Sequence, residues 1–125
     1  MQKKVLIPGP DHPITITPTT QPVVVRVGEY VIAETEAALT LHEASYEPVQ
    51  YLPLGDVDTT LIEPSDSETY CPYKGDATYY SINLPTSRIN DAIWTYVSPY
   101  DAVKEIAGHV AFYDGKAGIT VERRH

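Results

Sequence analysis

The residues best suited to chemistry in this sequence lie in a short turn that carries the only cysteine. Cys71-Pro72-Tyr73-Lys74-Gly75 places proline and glycine where tight turns favour them. Such a turn brings its first and fourth residues together, so we expect Cys71 and Lys74 to be neighbours. An ammonium beside a thiol stabilises the thiolate, which is the nucleophilic form. The turn therefore indicates either a reactive cysteine with an anion-binding lysine, or a structural turn with a small packed cysteine.

The charge around this turn is almost entirely negative. Between Arg26 and Arg88, Lys74 is the single cation among eleven acidic residues. An anionic group entering this part of the chain would meet repulsion everywhere except at Lys74. Residues 63–74 are predicted to form a loop that is long enough to serve as a pocket wall, and residues 63–69 within it carry three acidic and three Ser or Thr side chains. The sequence therefore favours a small molecule with an anionic group as the ligand.

Composition argues against several classes of partner and cofactor. The net charge of -8 has the wrong sign for binding a nucleic-acid backbone, and no apolar run approaches the ~20 residues that span a bilayer. Pro8 interrupts the N-terminal apolar run too early for a secretory signal, so we expect a soluble cytoplasmic protein, either a monomer or a homodimer. One cysteine and four histidines without ligand spacing predict no metal site and no cofactor.

The elements that must position these residues are predicted to be mainly strands. Residues 1–21, with four prolines, are interpreted as an extended arm, and residues 22–125 as a single β-rich domain. A short helix is expected at 100–107, capped by Ser98, and Trp94 is expected to anchor the core. Strands are predicted at residues 23–27, 30–33, 37–43, 49–54, 59–62, 75–84, 89–97, 109–113 and 119–121. Three pairs of them are expected: 23–27 with 30–33, 75–84 with 89–97, and 109–113 with 119–121.

Four segments carry a resemblance to one bacterial family: residues 8–14 (Pro-Gly-Pro-Asp-His-Pro-Ile), residues 61–80 around the Cys-Pro-Tyr-Lys-Gly turn, residues 91–96 (Asp-Ala-Ile-Trp-Thr-Tyr) and residues 106–113. From about residue 23 to 121, the chain resembles the family catalogued as domain of unknown function 427, which also carries a nucleotidyltransferase-like label. The resemblance implies a β-tent-like fold, similar to methionine-R-sulfoxide reductases and small zinc-bearing chaperones, but no established activity. The two Cys-x-x-Cys zinc knuckles common in those relatives are not carried over, because this chain has one cysteine.

The resemblance also implies a set of residues around the pocket. The expected fold is a mainly β, β-tent-like single domain of antiparallel strands with one short C-terminal helix. Three hypotheses about function are open: a small-molecule-binding domain or enzyme using Cys71 and Lys74, a non-enzymatic protein-interaction module in which the turn is structural, and nucleotide transfer. The third would require a carboxylate pair converging on a metal. The expected catalytic residues are Cys71, Lys74, Glu43 and Asp91, and the expected ligand-binding residues are Lys74, Tyr73, Trp94, Tyr96 and Ser65.

Overall fold

The structure, a computed structural model, describes residues 3–124 as ten β-strands and four short 3-10 segments. It places no helix in this range that is long and apolar enough to cross a membrane. The 3-10 segments are Leu54–Asp56, Thr59–Leu61, Asp101–Ile106 and Lys116–Gly118. The strands are β1 Ile14–Pro18, β2 Val23–Val27, β3 Tyr30–Thr35, β4 Leu39–Glu43, β5 Val49–Pro53, β6 Ile62–Cys71, β7 Gly75–Asn83, β8 Arg88–Thr95, β9 His109–Phe112 and β10 Ile119–Arg123.

The strands form two open antiparallel sheets. The larger sheet has the order β1-β4-β5-β9-β8-β7-β6, and the smaller sheet has the order β10-β2-β3. The predicted hairpin of β2 and β3 is confirmed, with a register shift after Val25, and so is the pairing of β7 with β8. The prediction of a mainly β single domain of antiparallel strands is therefore confirmed.

Hydrophobic residues are buried on both faces of the larger sheet, because successive side chains on a strand point to opposite faces. Leu52 and Ile93 belong to the main core cluster, which also contains Val23, Val25 and Val27 of β2. Their neighbours along β5 and β8, Tyr51 and Trp94, belong to a second cluster on the other face. Val103 of the segment Asp101–Ile106 is fully buried in that second cluster. This second face carries the candidate site.

The prediction of a loop over residues 63–74 is wrong, because most of this segment is strand β6. β6 is the edge strand of the larger sheet, where a proline such as Pro64 is tolerated. Its side chains are polar on both faces, so no apolar alternation reveals it in the sequence. The strand predicted at 59–62 is also mostly wrong, because Thr59–Leu61 is a 3-10 turn. Asp58 is the N-cap of this turn, and its carboxylate accepts a hydrogen bond from the amide of Thr60 at 3.1 Å.

The prediction of a final hairpin is wrong, because β9 and β10 belong to different sheets. β9 lies between β5 and β8, whereas β10 pairs with β2. Gly115 and Gly118, both with positive φ, let the chain turn away from the larger sheet, and burial of Ile119 against the main core favours its place beside β2. The predicted turn at residues 114–115 is thus present, but the strands on either side have other partners.

The short C-terminal helical segment lies where the sequence predicts it, as the 3-10 segment Asp101–Ile106. Val103 and Ile106 are both fully buried, and their spacing of three residues matches the 3-10 repeat. The predicted cap at Ser98 is not observed, because Tyr100 occupies the N-cap position and makes no side-chain capping bond. The N-terminal arm also contributes to the sheet, since its residues 14–18 form β1 beside β4.

Candidate functional site

The turn between β6 and β7 fixes the position of Lys74. The amide of Lys74 donates to the carbonyl of Cys71 at 3.2 Å, and its carbonyl accepts from the amide of Tyr100 at 3.0 Å. Gly75 follows with a φ of +112°, and a Cβ there would lie 3.5 Å from the carbonyl oxygen of Ser98. The turn is therefore closed on itself and tied to the segment before Asp101, so the side chain of Lys74 has a fixed origin.

The ammonium of Lys74 is nearly buried and has three neighbours of different kinds. It donates to Oε1 of Glu43 at 2.5 Å and to Sγ of Cys71 at 3.8 Å. It also lies 5.9 Å from the ring centroid of Tyr96. The Lys74 side chain is 9% exposed and that of Glu43 16%, so the ion pair is screened from water. The expectation that Cys71 and Lys74 are neighbours agrees with this geometry.

Glu43, the last residue of β4, is held between two donors. Its Oε1 accepts from Lys74, and its Oε2 lies 2.7 Å from Nε2 of His12. Burial alone would raise the pKa of Glu43, but hydrogen bonds and charge interactions with Lys74 and His12 outweigh it and lower that pKa. Glu43 is therefore a carboxylate in the folded protein at neutral pH.

His12 is a site residue that sequence reasoning missed. Its ring stacks on Tyr73 with the centroids 4.1 Å apart and the planes 7° from parallel. His12 comes from the proline-rich arm, and pairing of Ile14 with Glu43 carries it to the end of β4. The block Pro-Asp-His-Pro draws attention to His12 in the sequence, but Glu43, the residue that His12 contacts, lies 31 residues further along the chain.

A pocket of about 260 Å³ opens beside Lys74 on the second face of the larger sheet, the face that carries Tyr51 and Trp94. Aromatic side chains form most of its wall, and Trp94 donates its Nε1–H to the hydroxyl of Tyr51 at 3.2 Å. Burial raises the pKa of Tyr51 and of Tyr96, so both stay neutral hydroxyl groups at physiological pH. The pocket is lined by Leu41, Glu43, Tyr46, Val49, Tyr51, Lys74, Tyr79, Trp94, Tyr96 and Tyr113.

The family is settled by a match over most of the chain. The family model described as a domain of unknown function (DUF427) matches residues 15–123. The chain belongs to the DUF427 family. A search of curated proteins finds no match to it. The match confirms the predicted family, but it identifies no ligand and no reaction.

In this DUF427 chain, the structure brings together only some of the residues expected at the site. Glu43, Lys74, Trp94 and Tyr96 all line the pocket. Cys71 is half-buried and touches Lys74, but it is not among the lining residues. Trp94 is expected both to anchor the core and to bind the ligand, and the half-buried indole packs on the second cluster while it lines the pocket.

Asp91 and Ser65 form a separate cluster on β8 and β6. Asp91 accepts hydrogen bonds from Ser65 at 2.5 Å and from Ser67 at 2.7 Å. These bonds lower the pKa of Asp91, and neither Asp91 nor Ser65 is among the residues that line the pocket. Tyr73 is near the site through its stack on His12, although it does not line the pocket either.

Metal ligands are not grouped in the part of the chain that the structure describes. Within residues 3–124, no three His, Cys, Asp or Glu side chains are close enough to hold an ion together. The third group at the His12–Glu43 pair is the ammonium of Lys74, which cannot ligate a metal while it is charged. The chemistry of this arrangement is therefore charge pairing and hydrogen bonding.

Proposed function

We propose that this DUF427 domain binds a small molecule in the Lys74 pocket and that an anionic group of the ligand lies against the Lys74 ammonium. The observation that carries the proposal is a lysine that is buried to 7% exposure yet lines an open pocket. Lysine is rarely this buried unless it is paired or functional. Here the carboxylate of Glu43 compensates the charge of Lys74. Because Lys74 also lines the pocket, a ligand in the pocket can accept a further hydrogen bond from the ammonium.

The hydrogen-bond capacity of the ammonium supports an anionic group. An ammonium carries three N–H donors. Glu43 and Cys71 accept from two of them, and the sulfur is a weak acceptor at 3.8 Å. A ligand carboxylate could therefore accept a strong, charge-assisted bond from Lys74 without displacing Glu43. Glu43 competes with the ligand for the same positive charge, which makes its removal an informative perturbation.

The pocket dimensions limit the ligand to a small one. Its volume of about 260 Å³ lies just below the ~300–1,000 Å³ typical of pockets for drug-sized ligands. Tyr79, Trp94 and Tyr96 offer aromatic surface, while Tyr51 and Tyr113 add hydroxyl groups. A flat ring that carries one acidic group fits this combination of size, apolar wall and single cation.

Three ligands of the same shape and different charge test the proposal. Benzoate, benzamide and benzylammonium share a ring and differ in charge, and binding can be followed by the fluorescence of Trp94, the only tryptophan. We expect benzoate to bind best. Lys74→Met should abolish that preference, and Glu43→Gln should strengthen benzoate binding, because it frees the ammonium from its partner. Lys104→Met, at an exposed lysine, is the matched control.

Two results would overturn the proposal. One is equal binding of benzoate and benzamide, which would show that Lys74 does not select an anion. The other is benzoate binding by folded Lys74→Met at the affinity of the natural protein. Lys74→Arg, which keeps the charge, checks whether loss of binding in Lys74→Met follows from charge or from a disturbed fold.

The alternative, a protein-interaction module, has less support in the structure. Val5 and Ile7 of the arm are 51% and 80% exposed, and Val97 is 68% exposed. Single exposed hydrophobic side chains are normal on protein surfaces and by themselves indicate no partner. The buried ion pair facing a pocket is the less ordinary feature, so we favour small-molecule binding.

A further inference from the structure

A second, larger cavity lies next to the Lys74 pocket. It is a groove of about 680 Å³ that runs between the β1–β4–β5 end of the larger sheet and β10 of the smaller sheet. The groove and the pocket share three lining residues, Val49, Trp94 and Tyr113. Its volume is well within the ~300–1,000 Å³ typical of ligand sites.

One wall of the groove is a preorganised set of neutral hydrogen-bonding groups. The hydroxyls of Thr19 and Thr40 lie 2.7 Å apart, and Thr19 donates to Oε1 of Gln50 at 2.7 Å. Gln50 in turn donates from Nε2 to Thr40 at 3.0 Å, which uses one of its two N–H donors. Because these side chains hold each other, a ligand that binds to them need not order them first.

The other wall is aromatic. Trp94 and Tyr113 pack with their ring centroids 4.5 Å apart and their planes tilted by 50°. Tyr113 is 38% exposed, and Phe112 lines the groove beside it. Burial and a hydrogen bond with Tyr79 raise the pKa of Tyr113 to about 12, so its hydroxyl is neutral. The groove therefore combines an aromatic surface with neutral hydroxyl and amide groups.

The charged residues of the groove do not favour a strongly charged ligand. Glu47 and Asp114 are opposed by Arg123, and His42 also lines the groove. The carboxylate of Asp114 already accepts a hydrogen bond from the amide of Val121 at 3.2 Å. With a neutral histidine these formal charges sum to -1, so no concentrated charge is available to bind an ion.

From this combination we propose that the groove binds an uncharged carbohydrate of one or two rings. A sugar ring has an apolar C–H face, which packs on an aromatic side chain, and a rim of hydroxyls, which both donate and accept. Trp94 and Tyr113 supply the first kind of contact, and Thr19, Thr40 and Gln50 supply the second. This inference does not rest on Lys74, because Lys74 lines the pocket and not the groove.

The test uses neutral sugars and an analogue without most hydroxyls. Methyl glucoside, methyl galactoside, methyl mannoside, maltose and lactose are titrated against the whole chain, with amide NMR shifts and Trp94 fluorescence as readouts. Tetrahydropyran is the analogue. We expect saturable binding of at least one sugar, with shifts at Thr40 and Gln50, and none of tetrahydropyran. Thr40→Val should weaken binding about tenfold, since it leaves a polar group of the ligand unpaired.

Matched variants separate this proposal from the one on Lys74. Thr120→Val, on an exposed threonine of β10 that does not line the groove, should leave sugar binding unchanged. Gln50→Leu is a second groove variant in case Thr40→Val fails to fold. Lys74→Met should retain sugar binding even where it loses benzoate. The proposal is overturned if no sugar binds saturably, if tetrahydropyran binds as well as the sugars, or if folded Thr40→Val and Gln50→Leu bind unchanged.

Discussion

Replacing Lys74 by methionine tests whether the buried ion pair is as important to this fold as its geometry indicates. Methionine keeps much of the length of the side chain, but it removes the ammonium that donates to Glu43 at 2.5 Å and lies 5.9 Å from the ring centroid of Tyr96. The carboxylate then remains 16% exposed with His12 as its nearest partner. The substitution thus leaves a mostly buried charge without its main compensation.

The size of the effect follows from this geometry. Removing one partner of a buried ion pair costs roughly 3–5 kcal/mol. His12 still bonds Glu43 at 2.7 Å, so we take the lower end, about 3 kcal/mol of unfolding free energy. For a chain of 125 residues this corresponds to a decrease in Tm of about 12 °C, at roughly 4 °C per kcal/mol. The double variant Lys74→Met/Glu43→Gln removes both charges, so we expect it within about 1 kcal/mol of the natural protein.

The assay is urea unfolding followed by Trp94 fluorescence and by far-UV circular dichroism, on four proteins that form a double-mutant cycle. Lys3→Met is the control, because Lys3 pairs with Asp76 where both side chains are more than half exposed, and such pairs contribute little. We expect no measurable change in that variant. If Lys74→Met alone destabilises the protein by less than about 0.5 kcal/mol, or if the double variant is as unstable as Lys74→Met, the reasoning from burial of the pair is wrong.

Three further predictions concern pH, the thiol and metal ions. Because folding lowers the pKa of Glu43, the contribution of this carboxylate to stability is fully present above its ordinary pKa of 4.5 and is lost as the pH falls through the lower folded pKa. The free energy of unfolding of Glu43→Gln, measured as the pH is lowered, should therefore lack this part of the pH dependence of the natural protein. Alkylation of Cys71, the only thiol, should be slower in Lys74→Met and faster in Glu43→Gln, because the ammonium 3.8 Å away stabilises negative charge that develops on the sulfur; equal rates in all three proteins would remove that role. Melting with and without a chelator should give one midpoint, since the described residues hold no group of metal ligands, and a lower midpoint with the chelator would contradict this.

Short sequence patterns are enough to predict the local structure around the site. Short runs rich in β-branched and aromatic residues, bounded by turn residues, predict β2, β3, β7 and β8, because these residue types favour a strand locally. The order Cys-Pro-Tyr-Lys-Gly predicts a turn that places Cys71 beside Lys74, because turn chemistry acts over four or five residues. The sum of these runs likewise predicts a mainly β chain, and residues 14–123 show it.

The contacts between distant residues, in contrast, depend on the arrangement of the whole sheet. Glu43 reaches Lys74 because it ends a strand whose alternate side chains face the pocket. Asp91 does not reach Lys74; its carboxylate instead accepts hydrogen bonds from Ser65 and Ser67. His12 enters the site because β1 pairs with β4. These contacts depend on strand order and register, which are set by burial of apolar side chains across the whole sheet and leave no mark in any short segment. For the same reason the sequence could predict a turn after β9, but not that β10 would pair with β2.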